Sequence, residues 1–197
     1  MRFLRLVCLL AVLPMVASAH TGADAGMHHD FLSGFTHPFT GADHLAAMAA
    51  VGLWSALVAK RAWPDLLWAP LGFASMLLVG AMAGLAGIQV PAVEPMIAAS
   101  LLVLGLLVWT QRRLPPMTAA VLVGFFAIFH GIAHGHELAD QSGAGFALVG
   151  MFTATVGLHA AGIAFGWTLR HGYRWLPRIA GGGVALLGVA LLGSALT

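Results

Sequence analysis

His130, His134 and Glu137 are spaced so that a helix aligns them in one stripe. At ~100° per residue, His134 falls ~40° to one side of His130 and Glu137 ~20° to the other. Two imidazoles and a carboxylate on one face suit a divalent transition metal that takes nitrogen and oxygen ligands. His136 stands about a third of a turn away from that stripe. These groups lie in a segment, Pro116 to Ala139, that is otherwise apolar. In lipid, a charged group near a helix centre costs on the order of 2.5–3.5 kcal/mol by insertion scales. Such costly groups mark function. A second set, His37, Asp43 and His44, opens an earlier apolar stretch, and His159 sits near the middle of a third. Asp43 has two readings: offsetting charge and orienting an imidazole, or closing a capping box with Thr40. His37 precedes Pro38, which predicts a turn ahead of the helix from which His37 folds back toward His44.

The elements that must position these groups are membrane helices. With 60% apolar and 8% charged residues and a mean hydropathy of +0.92, a soluble globular domain is excluded. Residues 1–19 read as a secretory signal: Arg2 and Arg5, an apolar run from Leu6 to Val16, and Ala17-Ser18-Ala19 as a cleavage site. Its removal takes the only cysteine, Cys8, and leaves seven basic and seven acidic residues. That leaves no disulfide, no thiolate metal site and no basic patch for nucleic acid. Cleavage would also expose His20, whose amine and imidazole could chelate one ion together, with Met27-His28-His29-Asp30 close behind. Residues 20–40 are therefore read as a histidine-containing segment outside the membrane, either metal-collecting or simply solvated.

Residues 41–197 are predicted to form an all-α bundle of six spans, each near the ~20 residues a bilayer requires. The apolar segments run Gly41–Ala59, Asp65–Gly87, Ala92–Thr110, Pro116–Ala139, Gly145–Leu169 and Ile179–Leu196. Lys60 and Arg61, Arg112 and Arg113, then Arg170, Arg174 and Arg178 all fall in alternate loops. The positive-inside rule makes those loops cytoplasmic and places both mature termini in the periplasm. His37, Asp43, His44 and the stripe of the fourth span then share the outer side. Gly80/Gly84, Gly131/Gly135 and Gly162/Gly166 repeat at four-residue spacing, which predicts close helix approach. Two sets of three spans would have opposite orientation, so the order admits an inverted 3+3 arrangement.

The segment His37-Pro38-Phe39-Thr40-Gly41-Ala42-Asp43-His44, continuing through Leu45 to Trp54, resembles the signature of the HupE/UreJ family of nickel transporters. Phe129-His130-Gly131-Ile132-Ala133-His134-Gly135-His136-Glu137 resembles that family's second histidine motif. The likeness spans essentially the whole mature chain. It implies import of Ni²⁺, or Co²⁺, across a bacterial inner membrane in support of hydrogenase or urease. Carried over by motif, it points to His37, Asp43, His44, His130, His134 and Glu137. The metal's identity comes from this likeness.

The chain has no Gly-x4-Gly-Lys-Ser/Thr phosphate loop, so uptake would draw on an ion gradient or on the membrane potential. The metal is cargo, no permanent cofactor is expected, and the chain is read as a transporter rather than an enzyme. Its partners are the ion and the bilayer, with self-association left open. An intramembrane metalloprotease would want His-Glu-x-x-His, but Asp140 stands where the second histidine belongs. A haem-bearing redox anchor would need histidines facing each other across two helices, whereas here they cluster with carboxylates. Imidazoles bind metal when neutral, so uptake is expected to weaken as external pH falls from about 7.5 to 5.5. An unchanged rate of radiolabelled ion uptake across that range would exclude histidine ligation as the limiting step.

Overall fold

The computed structural model describes residues 31–139, 143–170, 172 and 175–195. The expected signal segment, His20 and the His28-His29 pair lie outside the described residues. Among the described residues the regular structure is helical: α1 (Phe31–Thr40), α2 (Ala42–Val58), α3 (Trp68–Leu85), α4 (Val93–Thr110), α5 (Pro116–Leu138), α6 (Ala144–Leu169) and α7 (Leu176–Ala195). Helices α3 to α7 are each long and apolar enough to cross a bilayer. Helix α2 is shorter and passes that test only together with α1, from which it is bent by 85°. Counting that bent pair as one span gives six. Exposed Leu71, Val79, Met82, Val121, Phe125, Val149, Phe165 and Leu186 make the helices apolar on their outer faces as well, as a lipid environment requires. The protein is a multi-pass membrane protein.

Local chemistry sets the helix ends. Pro116 occupies the first turn of α5, where its missing N–H would have no helical partner. Gly87, at φ 76°, closes α3 in a Schellman turn, with Gly87 N–H on the Gly84 carbonyl (2.9 Å) and Ile88 N–H on that of Ala83 (3.1 Å).

In lipid, apolar surface gains little by leaving its surroundings, so helices associate through close backbone packing. Glycines supply it in three pairs. Helices α3 and α5 run parallel, and a methyl at Gly80 would strike the Ile128 carbonyl, one at Gly131 the Leu77 carbonyl and one at Gly135 the Ala81 carbonyl. Helices α2 and α6 also run parallel, with Gly52 against the His159 carbonyl and Gly162 against that of Ala49. Helices α4 and α7 are antiparallel, Gly105 meeting Ala185 and Gly188 meeting Leu102. All three glycine pairs predicted from spacing lie at these contacts. Trp54 and Phe73 lie in the apolar core that joins the pairs.

The loops carrying basic residues share one end of the bundle. Trp54 Nε1 donates to the Arg112 carbonyl (3.1 Å), and Arg170 donates to the Ala59 carbonyl (3.0 Å). A cavity of about 550 Å³ opens at this basic end, lined by Trp54, Ser55, Lys60, Arg61, Ala69 and Arg113 among others.

The predicted turn at His37-Pro38 is corrected: both residues lie inside α1. Tertiary contact overrides the local preference. Gly34 of α1 packs on the Ala147 carbonyl, and Gly150 of α6 packs on the Phe31 carbonyl, which fixes α1 along α6. Residues 31–40 are thus a helix docked on the bundle. The capping box is also absent. Gly41 is the N-cap of α2 without a side-chain cap bond, and the Thr40 hydroxyl donates to the His37 carbonyl (2.8 Å).

Gly131→Ala is expected to force α3 and α5 apart and to cost about 1–3 kcal/mol by overpacking. Gly183→Ala, with open space around it, should be near neutral. Thermal unfolding of the two purified variants in detergent checks this.

Candidate metal-binding site

The His130-Gly131 and His134-Gly135 pairs serve two faces of α5 at once. A four-residue repeat keeps both imidazoles on one side and both glycines on a neighbouring side. The glycines lie against Gly80 and Gly84 of α3. His130 and His134 meet α2 instead: the His44 ring centroid is 5.1 Å from that of His130 and 4.4 Å from that of His134. Both α5 imidazoles and His44 are buried.

The bend at Gly41 brings the end of α1 over the same place. His37 stands 4.8 Å from the His134 ring and 5.9 Å from the His44 ring, centroid to centroid. A Cβ at Gly41 would lie 2.9 Å from Asp43 Oδ1 and 3.0 Å from His44 Nδ1, so glycine there leaves room for that pair. His37, His134 and Glu137 each offer a ligand atom, all within 4.8 Å of one another. Glu137 Oε2 is 3.7 Å from His37 Nε2 and 3.3 Å from His134 Nδ1. Metal–nitrogen bonds of about 2.1 Å separate two ligand atoms by at most about 4.2 Å. The 3.7 Å and 3.3 Å separations fall inside that limit, so these ligand atoms stand close enough for one ion to bridge them.

Oxygen partners orient the rings. Asp43 Oδ1 accepts from the His44 backbone N–H (2.9 Å) and lies 2.8 Å from His44 Nδ1. A proton on Nδ1 directed at this carboxylate presents Nε2 to a metal. Of the two readings of Asp43, the structure shows the orienting geometry. On α4, the buried Ser100 hydroxyl donates to the Ile97 carbonyl (2.6 Å) and lies 3.0 Å from His130 Nε2. With its proton so committed, Ser100 Oγ accepts from Nε2–H, which leaves the lone pair on Nδ1. That Nδ1 is buried without a hydrogen-bond partner. Sequence reasoning misses Ser100, because a lone serine in an apolar span carries no pattern; only the fold sets it beside His130.

The other candidates separate. His136 donates from Nε2 to the Ile88 carbonyl (2.9 Å), tying α5 to the turn after α3, away from the cluster. His159 on α6 is buried, with Nε2 lacking a partner, and its ring meets Phe73 at 5.4 Å. Phe73 also touches His130, at 5.7 Å. His159 is therefore set apart from the cluster, with Phe73 beside both it and His130.

Ser100→Ala is expected to lower divalent-metal affinity by ~10–100-fold, the usual effect of losing a partner that orients a ligand. His136→Ala should bind within a few-fold of wild type. Metal titration of the purified proteins reads both.

Comparison with known proteins places the chain in a family. The family model described as HupE / UreJ protein matches residues 7–191. The chain is 41% identical over 196 residues to Protein HupE of Rhizobium leguminosarum bv. viciae, covering 98% of this chain and 99% of that one. No solved structure matches the chain. A match over nearly the full length, embracing both histidine motifs, has one consequence: the chain belongs to the HupE/UreJ family.

Proposed function

We propose that the protein imports Ni²⁺, with Co²⁺ as an alternative cargo, across the bacterial inner membrane for metalloenzymes such as hydrogenase or urease. The observation that carries this reading is the convergence of His37, His134 and Glu137 inside an apolar bundle. Membership of a family associated with nickel and cobalt uptake supports it. Cleavage after Ala19 and the positive-inside rule put the histidine end outside and the basic end in the cytoplasm. A hydrated ion first exchanges water for His37, His134 and Glu137. It then passes to His44 and His130, whose rings Asp43 and Ser100 orient, and on to His159. The imidazoles of α2 and α5 stand so close together that they suit an ion rather than a haem macrocycle.

The pairing of helices supports an inverted 3+3 organisation. Numbering the bent α1–α2 pair as the first span, glycine contacts join the first span to the fifth, the second to the fourth and the third to the sixth. Exchanging the first three spans with the last three leaves that set of pairs unchanged, as a two-fold axis in the membrane plane requires.

The potential alone is enough to drive uptake. At about 2.3 kcal/mol per charge per 100 mV, a divalent cation gains ~4.6 kcal/mol. At 1.4 kcal/mol per decade this sustains roughly 2,000-fold accumulation. Radiolabelled Ni²⁺ uptake is expected to rise above empty cells with the wild type and to fall back to that background with His44→Ala. Excess Co²⁺ should compete. Wild-type cells indistinguishable from empty ones would end the transport reading.

A further inference from the structure

Phe73 of α3 is fully buried and touches histidines of two different helices, α5 and α6. Its ring contacts His130 at 5.7 Å and His159 at 5.4 Å, the latter edge to face. Both of these imidazole rings carry a buried nitrogen without a hydrogen-bond partner, Nδ1 of His130 and Nε2 of His159. Around it the core is apolar: Met48, Val51, Leu77, Leu101 and Ala127 belong to the same cluster. One helical turn before Phe73, Ala69 lines the cavity at the basic end. Outward of the ring are imidazoles and carboxylates, and inward is an open cavity. A closed apolar ring at that position excludes water and ions.

We propose that the Phe73 side chain is the gate of the pathway. In its present conformation it closes the passage from His130 to His159 and to the cavity. Rotation of the ring out of the core opens it, and the two imidazole nitrogens take the ion on each side while it passes. This inference rests on the transport reading and adds to it a specificity-determining residue that binds no metal itself. Apolar closure also makes passage depend on occupation of the outer ligands, because an ion that has not exchanged water for imidazole meets a dry ring.

The test uses the full chain, purified and reconstituted in liposomes with an inside-negative potential, and reads ⁶³Ni²⁺ uptake beside Ni²⁺ titration of the same protein in detergent. Phe73→Ala and Phe73→Leu should bind Ni²⁺ within about twofold of wild type, because the outer ligands are untouched. Their initial uptake rates should rise at least about threefold, whereas Phe73→Trp should slow uptake to a similar degree. The preference for Ni²⁺ over Zn²⁺ in uptake should fall with the smaller side chains. If Phe73→Ala does not fold, Phe73→Leu decides by the same criterion. Unaltered binding with rates equal to or below wild type for the smaller side chains would overturn the gate and leave Phe73 as packing. Wild-type protein that binds Ni²⁺ but fills liposomes no faster than empty ones would overturn the transport reading, and the gate with it.

Discussion

Close backbone contact between glycine-faced helices is the constraint on which the rest of this structure depends. In lipid, leucine against leucine gains little over leucine against an acyl chain, so contact has to come from surfaces that fit closely. Gly80 and Gly84 against Gly131 and Gly135 bring the α3 and α5 backbones into direct contact. The same device joins α2 to α6 and α4 to α7. Because α5 is held this tightly on its glycine face, its histidine face is fixed toward α2. A wider seam would carry His130 and His134 away from His44.

The polar groups then solve the problem of standing in an apolar medium by holding one another. His44 has Asp43, His134 has Glu137, and His130 has Ser100. Each contact holds a ring through one nitrogen and leaves the other available as a donor to a metal. This arrangement differs from a closed structural metal site, which would retain its ion. His37 and Glu137 are partly exposed, which leaves the cluster open to solvent at those two side chains.

Much of the site is legible in the sequence. Helical phase alone groups His130, His134 and Glu137 and sets His136 apart; in the structure His134 and Glu137 gather with His37, His130 meets Ser100, and His136 bonds the Ile88 carbonyl. The span limits follow the apolar runs closely because, in lipid, backbone groups must pair within each helix. Other features are not legible there. Pro38 argues for a turn, yet it sits in α1, because docking of Gly34 and Gly150 outweighs the local preference. Thr40 and Asp43 have capping-box spacing, yet Thr40 bonds within α1 and Asp43 turns to His44. The short-range signal at Pro38 loses to contacts whose partners lie far along the chain.

The sequence by itself determined that this is a helical membrane protein, where its spans run and which histidines and carboxylates each helix carries. Those properties depend on hydropathy and on a fixed 3.6-residue period, both of which are local. Tertiary structure alone decided that these groups meet. The 85° bend at Gly41 carries His37 over His134, α4 brings Ser100 to His130, and α3 inserts Phe73 between His130 and His159. These are distances between separate helices. They follow from how closely the glycine seams let backbones approach, and no periodicity within one segment encodes them.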